Sequence, residues 1–462
     1  MRIAVINGSP KGDMSVTMQY LEYIRRNNPN KDFKIFNVGH DIKKIEKKPE
    51  LFTEIVQEIG KSDGILWCFP VYICVVPSQL KRFIELIFEN SAEEAFEDKY
   101  ATALTTSAHI YDHTAHNYIH AISEDLGMKY VEGFSAEMYD LNKQEERENL
   151  LNFSADFFSH IEKNRPTENK YLPLSYATPE YVPGEIQEIS KTGNWKIVLL
   201  NDAEKNDLNL RLMIDVFIKT LPNHVEVLNL HEINMRGGCL GCLRCGYDGT
   251  CIYSDDVMSI YEDKLLPADA VIYAGTIKDR YLSSRWKMFF DRSFFNGHRP
   301  VLQGKQGGFI ISGPLRQIPN LRQILQAQAE VGRFAHVSLV SDEYEDSQYT
   351  TSRISDFAAQ LIWALEKEYH KPVTFLGVGG HKTLRDLVKD MKPIFTEDYE
   401  FYKEHGLFDF PRQGIHDRAI NTFLLPLLRI PEVRTGFQKR LKWGMIWPLQ
   451  KELKRLPENV VH

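Results

Sequence analysis

The sequence contains no apolar run long enough to cross a bilayer. Its most hydrophobic stretch, Gly64 to Val76, is interrupted by Pro70 and falls well short of the roughly 20 residues that a spanning helix needs. The N-terminus lacks the succession of basic segment, apolar segment and small-residue cleavage site, so no secretory signal is expected and a cytoplasmic location is. Basic charge is not in excess: the formal net charge is -7, which gives no general reason to expect nucleic acid as a partner. Dispersed cysteines are missing too. Four of the six lie in one short loop, which argues against a disulfide framework and for ligands in a reducing compartment.

What the chain does have is length and that cysteine loop. At 462 residues and 53.6 kDa it is long enough for two or three domains, each with its own core. Between Gly237 and Cys251 the residues Cys239, Cys242, Cys245 and Cys251 are spaced C-x2-C-x2-C-x5-C among several glycines. Thiolates this close suit a metal centre better than a hydrophobic core. Zinc sites usually come as two separated C-x2-C knuckles, whereas three ligands at x2 spacing with a fourth nearby form the cubane pattern. A [4Fe–4S] cluster is therefore the leading reading, with zinc or a metal-free remnant as alternatives.

The first half alternates strand and helix. A β-branched run, Arg2 to Ile6, ends in a loop rich in glycine and hydroxyls, Asn7 to Thr17, and a helical pattern follows from about Met18. The loop matches neither G-x-G-x-x-G nor Walker A. It nonetheless offers N–H groups, hydroxyls and a helix N-terminus to a phosphate. Strands are expected at Phe33–Phe36, Gly64–Phe69 and Ala101–Thr105, with helices near Leu51–Gly60 and Pro77–Glu85. This alternation predicts a parallel sheet covered on both faces. His109, His113 and His116 read as solvated loop and helix residues, and Cys68 and Cys74 as small buried hydrophobes.

Gly8-Ser9-Pro10-Lys11 with Ser15 and Thr17, Pro70-x-Tyr72, and Leu80-Lys81-x-Phe83-Ile84 together resemble the NADPH-dependent FMN reductases of the flavodoxin-like group. The resemblance implies that Ser9, Lys11, Ser15 and Thr17 hold the FMN phosphate and that Pro70, Val71 and Tyr72 border the isoalloxazine. Thr106, Ser107 and His109 would lie on its other edge. In a doubly wound sheet a ligand binds beyond the carboxyl ends of the strands, which is where these loops fall.

After a closing helix at about Glu145–Glu162, the proline-bearing stretch 164–194 reads as a linker, and the same order of elements then begins again. Strand, helix and strand are expected at Trp195–Leu200, Leu208–Thr220 and Val225–Leu230. The cysteine loop follows, then Ser254-Asp255-Asp256 as the N-cap of a helix reaching about Leu265, and strands at Ala270–Ala274 and Gly307–Gly313. The cysteine loop and the segment Lys287-x-Phe289-Phe290-Asp291-Arg292 resemble the iron–sulfur flavoproteins of the same group. The expected fold is thus two flavodoxin-like, doubly wound α/β domains in tandem, residues 1–163 and 195–370, plus a mainly helical C-terminal extension, 371–462. Asn201-Asp202-Ala203-Glu204 in the second copy lacks the Gly-Ser turn and adds carboxylates, which repel a phosphate. FMN is therefore expected in the first copy and the metal centre in the second.

In the extension, residues 423–456 interleave Leu, Phe, Trp and Met with Arg and Lys, the composition of basic amphipathic helices. Contact with an anionic membrane surface and packing on the protein or on a second subunit fit this equally. The functional expectation is an NAD(P)H-dependent flavin oxidoreductase passing electrons from FMN to an acceptor. The alternatives are an electron-transfer iron–sulfur flavoprotein without NAD(P)H activity, or a non-catalytic membrane-associated scaffold.

Overall fold

The computed structural model describes residues 1–175, 179–190, 193–343, 346–410, 422–424 and 426–453. Strands and helices alternate through the first 163 residues as the apolar runs predict. Strands β1 (Arg2–Asn7), β2 (Asp32–Phe36), β3 (Gly64–Pro70), β4 (Tyr100–Thr106) and β5 (Lys129–Tyr130) form one parallel sheet in the order β2-β1-β3-β4-β5, with the short β6 (Phe134–Ala136) also on β4. The second half repeats this order with β7 (Ile197–Asn201), β8 (Val225–Asn229), β9 (Ala270–Lys278), β11 (Gln306–Ser312) and β12 (Ala335–Ser341), placed β8-β7-β9-β11-β12. Among the described strands only β10 (Tyr281–Leu282) runs antiparallel, on the end of β9. Central strands such as β3 and β11 are buried along almost their whole length, because helices cover both faces and leave no polar side.

The helices of the first half are α1 (Val16–Asn27), α2 (Val38–Lys47), α3 (Pro49–Gly60), α4 (Ser78–Glu89), α5 (Asp112–Asp125) and α6 (Gln144–Lys163). Helix α2 was not foreseen. Its apolar residues Val38, Ile42 and Ile45 recur at helical spacing, but the lysines between them mask the pattern. The second half contributes α7 (Leu208–Thr220), α8 (Arg244–Asp248), α9 (Asp256–Ile260, continuing in a π turn to Leu265), α10 (Ser284–Arg292), α11 (Pro319–Val331) and α12 (Ser347–Lys367). Asp255 precedes α9 as expected, yet its carboxylate does not cap the helix. It grips the Arg292 guanidinium through two bonds of 2.7 and 2.8 Å and accepts from the backbone N–H of Arg236 at 2.9 Å, which ties the cysteine loop to α10.

One apolar core runs between the two sheets, including Trp67 of the first sheet, Phe309 of the second, and Phe83 and Trp286 from α4 and α10. At its centre α4 packs on α10, the matching helix of the other copy. Two further helices, α13 (Phe375–Asp390) and α14 (Thr396–Glu404), complete the unit formed by residues 1–405. Helix α13 packs on α11, and Glu330 accepts from the N–H groups of Thr374 and Gly377 at its first turn.

The stretch between the copies is more than a spacer where it is described. Tyr181 is buried, donates its N–H to Asn209 Oδ1 at the start of α7 and bonds through its hydroxyl to Thr351 on α12. Residues 176–178 and 191–192 of this stretch lie outside the described residues.

Residues 406–462 form a second unit, whose longest described element is the helix Pro431–Leu453. The expected amphipathic character is not realised there. Val433, Phe437, Trp443, Met445, Ile446 and Leu449 point all round the helix, so no apolar stripe faces one way, and all six are exposed. Leu425 and residues 454–456 of the basic segment lie outside the described residues. No helix among the described residues is long and apolar enough to cross a membrane.

Candidate functional site

Beyond the carboxyl ends of β1, β3 and β4 the chain turns three times, and the three turns converge. The first runs from β1 into α1. Asn7 Oδ1 accepts from Ser9 N at 3.0 Å, Ser9 Oγ from Lys11 N at 3.3 Å, and Ser15 Oγ from Met18 N at 3.2 Å, so that Ser15 is the N-cap of α1. Gly8 allows the close approach of α4, since a Cβ there would lie 2.4 Å from Leu80 Cδ2. The result is a cup of hydroxyls at a helix N-terminus, where anions are stabilised. Ser9 is wholly buried, yet no described residue accepts its hydroxyl proton.

The second turn is a small hairpin at the end of β3, in which Tyr72 pairs with Val75 across Ile73 and Cys74, both in the left-handed region at φ 38° and 71°. The second copy builds the same hairpin, Lys278 pairing with Tyr281 across Asp279 and Arg280, again left-handed. The third turn, Ser107 to Tyr111, follows β4.

Ser9, Lys11, Ser15, Pro70, Tyr72 and Thr106 line one cavity of about 150 Å³. Val71 and Ser107 line an adjoining cavity of about 350 Å³, and the two share Ile73 and Phe294 as walls. Thr17 lines neither. Its hydroxyl is committed to Thr106 Oγ1 at 2.7 Å and fastens the first turn to the third. His109 also stands outside, paired with Asp112 at 2.7 Å and half exposed. His116, expected in solvent, is half-buried and bonds Thr105 at 2.8 Å; burial pushes its pKa down. His113 is exposed. Cys68 and Cys74 are buried as expected, and burial pushes the Cys74 thiol up to about 12.

The cysteine loop closes the smaller cavity. Cys239, Gly241 and Leu243 of the second copy line it together with the hydroxyl cup of the first. Gln79 Nε2 donates to Cys239 O at 3.0 Å, and Lys43 Nζ to Arg236 O. Gly241 has φ +61° and faces the Tyr72 hydroxyl so closely that a Cβ would lie 2.0 Å from it and 3.2 Å from Lys11 Cε. Glycine is required there on both counts.

All four cysteines line a further cavity of about 20 Å³ under this loop. Among the described residues no three His, Cys, Asp or Glu side chains are gathered as a finished metal site. The donor set is nevertheless of the right kind: Gly241 N–H points at Cys239 Sγ, 3.4 Å away, as backbone amides do toward cluster sulfurs. Burial, helped for Cys239 by Asp291 and the neighbouring thiols and for Cys245 chiefly by Cys242, raises Cys239 to about 12 and Cys245 to about 11.

Residues 1–139 match the NADPH-dependent FMN reductase family. The matched segment runs past the third turn and through β6, so it contains all three turns of the cleft but not the cysteine loop. Over 207 residues the chain is 28% identical to an iron–sulfur flavoprotein of Archaeoglobus fulgidus, which covers 43% of this chain and 93% of that protein. Among solved structures it resembles the NAD(P)H:acceptor oxidoreductase FerB of Paracoccus denitrificans, at 19% identity and a TM-score of 0.31 over 35% of this chain and 97% of FerB. It also resembles an FMN-dependent NADH-azoreductase of Bacillus anthracis, at 16% identity and a TM-score of 0.27 over 36% of this chain and 99% of that one.

The corresponding place in the second copy differs from the cleft of the first. Asn201 Oδ1 accepts from Ala203 N at 3.1 Å, the same turn as at Asn7, but Asp202 stands where Gly8 does and is buried. Burial raises its carboxyl to about 7, against the lowering effect of the Ser283 hydroxyl 2.5 Å away. Over the start of α7, where a phosphate would meet the helix, Asn209 binds Tyr181 N and Pro179 O of the connecting segment.

Proposed function

We propose that the chain is an NAD(P)H-dependent flavin oxidoreductase whose single FMN lies in the cleft of the first copy, and whose cysteine loop carries a [4Fe–4S] cluster leading electrons to an acceptor. The observation that carries this is the seating of the cysteine loop: Gly241, between Cys239 and Cys242, rests on Tyr72 and Lys11 of the cleft. A one-electron centre ligated there would lie against the cofactor it exchanges with.

Flavin accepts a hydride pair and releases electrons singly, and that is the chemistry FMN would supply here. The protein's own contribution is electrostatic and steric. Ser9, Ser15 and Lys11, with the N-terminus of α1, balance the phosphate charge. Tyr72, at the foot of the hairpin and against the cysteine loop, walls the cleft against water. Lys287 donates to Tyr72 O at 2.7 Å and pairs with the buried Asp291, which fixes the hairpin to the second copy.

The reading is tested by purifying the chain without oxygen, recording its visible spectrum, analysing iron, sulfide and zinc, and following NADH and NADPH oxidation. One flavin, four irons and four sulfides per chain are expected. Flavin with zinc and no iron removes the cluster and leaves the reductase. A colourless protein that oxidises neither nucleotide removes both.

A further inference from the structure

Because the two copies share a topology, positions in the second sheet have counterparts in the first. Tyr100 opens β4 and pairs with Lys129 of β5, so that Tyr130 comes next; Gln306 opens β11 and pairs with Ala335 of β12, so that His336 stands in the place of Tyr130. The closing helices α6 and α12 both end on a left-handed residue, Asn164 at φ 45° and Glu368 at φ 47°. In each copy the next carbonyl accepts from the strand: Arg165 O from the Tyr100 hydroxyl at 2.7 Å, and Tyr369 O from Gln306 Nε2 at 2.9 Å. Where the first copy has two tyrosines the second has a glutamine and a histidine, both smaller. A cavity of about 110 Å³ lies there, walled by Ala335, Val337, Trp363 and Tyr369 together with Gln306 and His336.

Gln306 Oε1 and His336 Nε2 are buried, and no described residue bonds to either. Gln306 Nε2 donates to a carbonyl, so the amide is oriented and Oε1 accepts only. Burial pushes His336 down to about 4, which makes the ring neutral near pH 7, and the Ser338 backbone bonds the ring in the sense that favours its proton. Such a bond is made to a carbonyl, and it falls to Nδ1 because Nε2 has none; Nε2 is therefore the lone-pair acceptor. Two buried acceptors without a donor carry a desolvation cost that a ligand donor offsets. Lys371 Nζ, held by Val337 O at 2.9 Å, also lines the cavity, and with Arg322 it brings positive charge to His336. A cation is repelled by that charge, and an anion would face two lone pairs. A neutral donor meets both conditions.

We propose that this cavity binds a small, mostly apolar, uncharged molecule through an NH2 group shared between Gln306 Oε1 and His336 Nε2. The site lies at the amino ends of β11 and β12, whereas the flavin cleft lies beyond the carboxyl ends of the strands of the first sheet, so it does not depend on the flavin reading.

The test compares 4-fluoroaniline with 4-fluorotoluene, which has the same ring and a methyl group in place of the amine. Each is titrated into the full-length chain and followed by its fluorine NMR line width, and FMN is titrated separately. 4-Fluoroaniline is expected to bind more tightly by about tenfold, the worth of one buried hydrogen bond. His336→Phe keeps a ring in place and is expected to erase that preference. Gln306→Tyr places the first copy's side chain in the hollow and is expected to abolish binding of 4-fluoroaniline, with FMN affinity unchanged in both variants. Equal affinity of the two probes for the wild-type chain, or no saturable binding of 4-fluoroaniline, overturns the proposal. An unaltered preference in His336→Phe overturns it too, whether or not Gln306→Tyr folds. A folded Gln306→Tyr that still binds 4-fluoroaniline places the amine elsewhere on the chain and has the same effect.

Discussion

Glu85 accepts both the backbone N–H and the hydroxyl of Ser284, each at 2.5 Å, so a carboxylate on α4 closes the N-terminus of α10. The converse bond is present as well, Asp291 of α10 accepting from Ser78 N of α4 at 2.7 Å. Each acid also pairs four residues along its own helix, Glu85 with Lys81 and Asp291 with Lys287. The two copies thus meet through a reciprocal contact of the kind that relates the subunits of a two-fold dimer.

Removing Asp291 leaves the buried Lys287 without its carboxylate. Asp291→Ala is expected to lower unfolding stability by about 3 kcal/mol, while Lys287→Met with Asp291→Leu costs less than the single change because neither charge of the pair remains. Urea denaturation of the three proteins checks the order; a double variant less stable than Asp291→Ala refutes it.

The hydroxyl cup separates binding from folding. Lys11→Ala is expected to weaken FMN by about tenfold without lowering the melting temperature, and the loss shrinks at high salt. Ser15→Ala is expected to lose affinity and also about 1 kcal/mol of stability, because Ser15 caps α1. Flavin fluorescence titration alongside thermal melts distinguishes the two.

Gly241→Ala drives a methyl group into Tyr72 and leaves the loop in a strained backbone region. It is expected to lower iron content and FMN affinity together, although Gly241 itself binds neither. Tyr72→Phe in the same chain should recover part of both, a coupling that independent sites do not give. Full additivity of the two substitutions counts against contact between loop and cleft.

Asp202 supplies a pH test. Its folded pKa of about 7 lies above the unfolded value near 3.9, so between these values the folded protein binds more protons than the unfolded one. Its contribution therefore turns unfavourable as pH rises from about 4 to 7 and stays so above. Asp202→Asn is expected to be more stable than wild type at pH 8, with the gap narrowing toward pH 4. Urea midpoints across that range decide it.

Much of this was legible in the sequence, because alternating apolar runs and turn residues carry the doubly wound pattern directly. The eight expected strands fall within a few residues of expectation, whereas β5, β6, β10 and β12 were not foreseen, and Ser9, Lys11, Ser15, Pro70, Tyr72 and Thr106 do meet in one cavity. Two departures from expectation have physical causes. A hydroxyl such as that of Thr17 looks the same in sequence whether it faces a ligand or a neighbouring threonine. Basic and apolar residues in 431–453 have the right composition for an amphipathic helix but the wrong phase. Gln306 and His336 escaped notice because only the register of β11 on β12 brings them to one cavity. The repeated Lys-x-Phe-x-acid signature of α4 and α10 was visible, and its reciprocity could have been inferred from the duplication.

Joining the two halves by the strap that carries Tyr181 has a consequence for stoichiometry and history. A symmetric pair of separate chains has two identical clefts and two identical cysteine loops, and any substitution strikes both at once. In one continuous polypeptide each half is free to specialise. Here the hydroxyl cup of the first half faces the cysteine loop, while the corresponding place in the second half holds the buried Asp202 and the connecting segment. On the proposed reading, the ratio of flavin to cluster would be set at one to one by covalent structure, independent of protein concentration.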